Sequence, residues 1–153
     1  MIYQKPQVFM VSLKVLLKNK NGEVLLLKTP SNTPGWYGKY DLPGGRINDN
    51  EVDIDFHKLI DREIKEEAGR GVKYKLRKDP VALAKYRIPD GRCILYVLFE
   101  ARYISGKITI SEEHTEYIWK KILPQNVNKL MHHKFVELMK CYWQWNKNVK
   151  VKF

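Results

Sequence analysis

Cysteine is scarce in this chain. Cys93 and Cys141 are the whole supply, and they lie far apart. That spacing excludes a disulfide-stapled scaffold and a cysteine metal knuckle. Both fall within apolar patterns and read as reduced structural thiols, which suits the cytoplasm. Long apolar runs are missing as well. A membrane-spanning helix needs roughly 20 apolar residues, and the most apolar stretch, from Val8 to Leu17, is interrupted by Ser12 and Lys14. That stretch has no basic leader and no small-residue cleavage site, so no signal peptide is expected. Repeats, linkers and low-complexity tracts are absent. A hydrophobic content of 44% excludes a disordered chain. The 153 residues, 1–153, are expected to form a single domain with a real core.

Acid is in short supply too, with 17 acidic residues against 28 Lys and Arg and a formal charge of +11. The acid that exists is concentrated. Eight of the 17 fall between Asp49 and Glu67, beside three bases, a local balance of −5. The remaining 25 bases and nine acids give the rest of the chain +16. A positive shell around an acidic pocket draws polyanions, so nucleotides, polyphosphates and RNA are the candidate partners.

Val8 to Lys18 is apolar enough for a buried strand. Asn21-Gly22 then marks a turn into a second strand, Glu23 to Lys28, which together give a hairpin signal. The stretch TPSNTPGWYGK reads as a loop, and YDLPGG as a short strand ending in a tight turn. From Asp53 to Ala68 the period becomes helical, with Phe56, Leu59, Ile60, Ile64 and Ala68 at spacings of three and four. Asp53 or Asp55 is the candidate N-cap, and Gly69 or Gly71 the candidate stop. Strands follow at VKYKLRK, VALAKYRI, RCILYVLFEARY (expected to be central) and TEYIWKKI. Leu123-Pro124 opens a last helix whose apolar face carries Val127, Leu130, Met131, Phe135, Leu138, Met139 and Tyr142. Tyr142, Trp143 and Trp145 read as core covering, with a self-association patch, and hence a homodimer, as the alternative. The expected class is α/β, a mixed sheet between helices.

A helix turns by about 100° per residue. Taking Glu63 as zero, Glu66 lies near −60° and Glu67 near +40°, so the three carboxylates share one sector about 100° wide. Like charges held that close call for an offsetting partner. A divalent cation with a taste for hard oxygen, Mg2+ or Mn2+, suits them. Arg62, four residues before Glu66, offsets only part of the charge. The preceding Pro43-Gly44-Gly45 offers exposed carbonyls in a flexible turn, and Glu51 lies where it can fold back on Arg62.

These residues resemble the signature of the Nudix hydrolase family, G-x5-E-x7-R-E-U-x-E-E-x-G-U, where U is bulky and apolar. Gly45 and Glu51 match its first half. Arg62, Glu63, Ile64, Lys65, Glu66, Glu67, Ala68 and Gly69 match its second. Two departures stand out. Ten residues rather than seven separate Glu51 from Arg62, and the last apolar position is Arg70, with Val72 two residues later. Three extra residues would rotate a helix by about 300°, so they are expected in the turn, around Asn50 to Asp55. Their presence leaves the Glu51–Arg62 pairing open. GEVLLLK and the Trp ahead of LPGG, together with SEEHTEYIWKKILP, extend the likeness from about Val8 to Pro124.

The resemblance implies an α/β/α sandwich and metal-dependent hydrolysis of a diphosphate linkage in a nucleoside diphosphate derivative, be it a nucleotide, a nucleotide sugar or a dinucleotide. It assigns Glu63, Glu66, Glu67 and the Gly45 carbonyl to the metal. It draws the general base from Glu66 or the Glu112, Glu113 and Glu116 loop, with Glu113 favoured. Glu51 and Arg62 become structural. Arg46 is the candidate phosphate clamp, with a plain surface arginine as the alternative. Trp36 and Tyr37 are candidate contacts for a base, and Tyr40, Tyr86 and Tyr96 are further aromatic faces. Core packing is the competing reading for all five. His57, His132 and His133 show no ligand pattern. Two other functions fit the same fold: an RNA 5′-end pyrophosphohydrolase, and a nucleotide-binding regulator without turnover.

Overall fold

The structure is a computed structural model that describes residues 4–148. Seven strands form one sheet: β1 (Phe9–Lys18), β2 (Val24–Lys28), β3 (Tyr40–Asp41), β4 (Lys73–Leu76), β5 (Ala82–Arg87), β6 (Cys93–Ser105) and β7 (Glu116–Lys120). The helices are α1 (Phe56–Glu67), α2 (Val127–Leu130) and α3 (Lys134–Asn148). The strand order is β3-β2-β1-β6-β4, with β5 also on β6 and β7 also on β2. β1 and β6 run parallel from Phe9 opposite Cys93 to Lys18 opposite Arg102. All other strand pairs are antiparallel, so the sheet is mixed, and β6 is an interior strand with β1 on one side and β4 and β5 on the other.

Alternation along β1 builds the two cores. Successive side chains point to opposite faces, so Leu13, Val15 and Leu17 pack with Leu59, Ile60, Ile64 and Ala68 of the α1 layer. Leu16 on the other face packs with Leu98 and Tyr96 of β6 and Phe135, Leu138 and Met139 of α3. Both faces of the central strands are therefore covered, which is why β1 and β6 read as nearly continuous apolar runs.

The first hairpin closes at Asn19–Glu23, with Gly22 at φ +75°. α1 starts at Phe56, three residues after the periodicity began. Asp55 is its N-cap, accepting from the His57 N–H at 2.8 Å. The extra residues sit in the turn after a short 3-10 segment at Asp49–Glu51, outside the helix. Phe56 itself is exposed rather than on the buried face. Gly69 (φ +122°) ends the helix, its N–H donating to the Ile64 carbonyl at 3.1 Å.

The last helix is two helices. Met131 is extended, fully buried and bridged to Tyr40, and α3 begins only at Lys134. The apolar face is nonetheless the one the periodicity marked, because both pieces lie in one layer. Tertiary pairing with β3 breaks the helix where local pattern alone would continue it. Tyr142 is buried, and Trp143 and Trp145 pack against the same core. Cys93 is buried, whereas Cys141 is exposed, contrary to the structural role expected of it. Among the described residues no helix is long and apolar enough to cross a membrane.

Candidate functional site

Residues 42–47 run beside β1 as an irregular strand. Val15 N–H donates to Pro43 O, Leu13 N–H to Gly45 O and Ile47 N–H to Val11 O, each at 2.9 Å. Gly44 lies so close to β1 that a β-carbon would sit 2.1 Å from Leu13 O, and its φ of +132° is a glycine conformation. Lys14 pegs the turn from beneath. Its buried ammonium contacts Asp41 at 2.9 Å and donates to Leu42 O at 3.1 Å and Gly44 O at 3.2 Å.

α1 lays two of its three glutamates on this turn. Glu67, 8% exposed, accepts from the Gly44 N–H at 2.7 Å. Burial pushes its carboxyl up to about 8, against the pull of Lys14 and of the Gly44 hydrogen bond. Glu63 lies against Gly45, where a β-carbon would come within 2.7 Å of Oε1. Burial raises its carboxyl as well. Arg62 opposes that rise, and Glu66 and Glu51 add to it. Arg62 bridges two acids, with Nη1 at 2.6 Å from Glu51 and Nη2 at 2.7 Å from Glu63. Its Nε is buried with no hydrogen-bond partner among the described residues. Glu51, buried, also accepts from Asn48 N–H at 2.8 Å and Asn48 Nδ2 at 3.0 Å.

Glu66 is placed differently. It is exposed and lines an open concavity on the outer side of α1 with Lys58, Asp61, Arg62, Lys65 and Arg70. The helical wheel put it in one sector with Glu63 and Glu67, but α1 turns only the Glu63–Glu67 edge to the glycine turn. Among the described residues, no three His, Cys, Asp or Glu side chains converge closely enough to hold a metal ion. The Gly45 carbonyl accepts the Leu13 N–H at 2.9 Å and the Ser12 hydroxyl at 3.5 Å. The donors of this site nevertheless suit a hard cation. Glu63 and Glu67 are carboxylates held at a glycine cradle with too little countercharge, and the cradle has no β-carbon to fill it.

The other expected residues scatter. Arg46, exposed, bridges Ser12 at the rim of the turn. Glu113 is exposed in a tight turn, while Glu116 is taken by Lys28 at 3.0 Å and by Tyr40. Tyr37 is 73% exposed. Trp36 packs on the α3 core, with the Lys134 ammonium 3.9 Å from its ring centroid. Tyr96 is buried, and Tyr86 bonds His133 at 2.7 Å. Four residues were not singled out in the sequence for the site: Lys14, Asp41, His114 and Lys134. His114 is buried, its basicity lowered first by burial, and it feels the charges of Asp41, Lys14 and Glu113. Burial lowers Lys134 to about 8, and Asp41, Lys14 and Arg46 all act on it. For Lys14 the signal was present, as a charge inside an apolar strand.

A glycine turn pegged by a buried lysine, faced by glutamates from a helix on one side of a mixed sandwich, defines a class of fold and site. Solved structures share that fold. A NUDIX hydrolase from Nitrosomonas europaea matches with a TM-score of 0.66 at 24% identity, covering 99% of this chain and 78% of its own. An Ap4A hydrolase from C. elegans, in a binary complex, matches at 0.68 and 18%, covering 92% and 99%. The NUDIX domain of Shewanella oneidensis NrtR, cocrystallised with ADP ribose, matches at 0.62 and 16%, covering 93% and 89%. The fold is the Nudix α/β/α sandwich. No family model and no curated protein matches the chain by sequence.

Proposed function

We propose that this chain is a Nudix hydrolase that cleaves a diphosphate linkage in a nucleoside diphosphate derivative, with Mg2+ or Mn2+ held by Glu63, Glu67, Glu66 and the Gly45 turn. The observation that carries the reading is the pair of carboxyl groups, half-buried Glu63 and buried Glu67, seated on the Gly44-Gly45 turn. Names among the structural neighbours support the substrate class, since one is an Ap4A hydrolase and another holds ADP ribose.

When bound, the divalent ion would neutralise phosphate oxygens and lower the pKa of a coordinated water. The residues of the chain supply the rest. Arg62, anchored by Glu51, fixes the Glu63 carboxylate and keeps it from swinging to solvent. Lys14 fixes the turn through three oxygens, so the backbone facing the diphosphate does not reorganise during reaction. Glu66, exposed three residues after Glu63, would supply a further oxygen to the ion. Glu66 or Glu113 takes the proton from the attacking water. Arg46 offers a guanidinium to a phosphate at the rim. Tyr37 presents an open ring to a base, while Lys134 covers the Trp36 ring.

The test is a substrate panel: nucleoside triphosphates, ADP-ribose, nucleotide sugars, dinucleoside polyphosphates and capped RNA, each with and without Mg2+ and Mn2+. Release of phosphate or nucleotide only with the ion present is the expected result. Ligand binding without any turnover across the panel would replace the hydrolase by a nucleotide-binding regulator.

A further inference from the structure

Lys134 opens α3 at a place that suits a cation badly. It is half-buried, and its ammonium lies among rings, 3.9 Å from the Trp36 centroid, 5.1 Å from Phe135 and 5.3 Å from Tyr96. Cation–π attraction offsets part of the lost hydration. Among the described residues no carboxylate is ion-paired with it. The acid that acts on it, Asp41, is already held by Lys14 at 2.9 Å. Lys14 and Arg46 act on it too, and both are cations. The first turn of a helix is also its positive end, which favours an anion over a lysine. Burial, like charge and helix dipole thus all oppose the ammonium, and a methionine would fill the same space without them. A side chain that breaks several local rules at once points to function rather than packing.

The surroundings supply what an anion needs. Lys14 stands over the same Phe135 ring, 5.9 Å from its centroid, and donates to Gly44 O at 3.2 Å. One lysine thereby joins the recess to the glycine turn. Arg46, exposed on the rim of that turn, has no ion-pair partner among the described residues, and it acts on both Lys134 and Tyr96. Tyr96 is 2% exposed, and its hydroxyl has no hydrogen-bond partner among the described residues. The first N–H of α3 does not compete for the anion, since Lys134 N–H donates to His132 Nδ1 at 3.2 Å. The unengaged donors are therefore an ammonium, a guanidinium and a phenol around one recess. Phosphate oxygens accept from all three.

The recess belongs to the α3 face of the sheet, where Trp36, Tyr96 and Phe135 pack together, whereas Glu63 and Glu67 approach the turn from α1. A diphosphate seated on the turn would carry its far end over Arg46 and Lys134. A neutral sugar at that end would leave both cations covered and unpaired, while a further phosphate would pair them.

We infer that Lys134, with Arg46, holds a phosphate beyond the scissile diphosphate, so that the substrate is a chain of three or more phosphates rather than a diphosphate ending in a neutral sugar. This specificity rests on the hydrolase reading of the turn, whereas the anion subsite itself is open to a test by binding alone.

The experiment is a calorimetric titration of sodium tripolyphosphate into the metal-free protein in chelator. Wild type, Lys134→Met and Lys134→Arg are compared, with thermal midpoints recorded for each. Lys134→Met is expected to lower the affinity about tenfold, and Lys134→Arg to keep most of it. With Mg2+ added, the ratio of kcat/KM for a nucleoside triphosphate to kcat/KM for ADP-ribose should fall by a similar factor in Lys134→Met, through KM for the triphosphate. A lysine that only packs would lower both substrates alike. If Lys134→Met is unfolded, Lys134→Gln must show the same losses. Equal tripolyphosphate affinity in folded wild type and variant overturns the proposal. So does an absence of tripolyphosphate binding by the wild type, or an equal loss on both substrates. No turnover of any substrate by the wild type overturns the hydrolase reading instead, and the titration then decides the anion subsite by itself.

Discussion

The Glu63 carboxylate rests against the α-carbon of Gly45, in space that a β-carbon would take, 2.7 Å from Oε1. Gly45→Ala is therefore expected to dislodge Glu63 while sparing the fold, since the obstructing atom is the end of a side chain. The result should be a loss of ~10²-fold or more in turnover with little change in thermal midpoint. Gly44→Ala is the contrast. Its β-carbon would meet the Leu13 backbone at 2.1 Å, so the protein should be grossly destabilised or insoluble. Thermal melts beside rates separate the two.

Glu66→Gln and Glu67→Gln should each lower turnover by about 10²–10⁴-fold with the circular dichroism spectrum unchanged. Wild-type rates in both variants would remove the carboxylates from the chemistry.

Removing Glu51 leaves Arg62 with Glu63 as its remaining carboxylate partner. Glu51 and Arg62 are 2.6 Å apart, but the arginine side chain is 39% exposed, so water recovers part of the loss. Glu51→Ala is expected to cost about 1–3 kcal/mol in denaturant unfolding, and to weaken catalysis through the Glu63 that Arg62 holds.

Acidity should act on stability through Glu67. Its carboxyl rises from an ordinary 4.5 to about 8 on folding. Between those values the folded chain keeps a proton that the unfolded chain releases, so stability falls as pH climbs through the window. The loss is complete above about 8. A divalent ion binds the ionised form, so added Mg2+ or Mn2+ should restore stability at pH 8 and do little at pH 5. Glu67→Gln should flatten the pH slope in chelator. Unfolding curves at several pH values, with chelator and with the ion, give the comparison.

Periodicity was enough for most of the frame. Strands with alternating residues, the Asn21-Gly22 hairpin and, apart from Phe56, the apolar stripe of α1 are local properties, and each appears where the pattern placed it. The break at Met131 was not local, because its cause is a bridge to Tyr40 in another part of the chain. The site divides in the same way. Glu63 and Glu67 were legible as a spacing, and their neighbourhood with Gly45 followed from the signature. Glu66 showed that a helical wheel gives direction and not depth. Lys14 reached its role through partners 27 to 30 residues away, which no window on the sequence contains. His114 and Lys134 matter through burial, which the sequence does not state.

The inserted turn has a practical consequence. Arg62 reaches back over residues 52–55 to grip Glu51, so the two ends of that excursion are stitched to each other rather than to its tip. Val52, Ile54 and Phe56 project from it into solvent. A reporter peptide or a fluorophore spliced between Val52 and Ile54 would ride outside the stitch, beside the site yet mechanically apart from it.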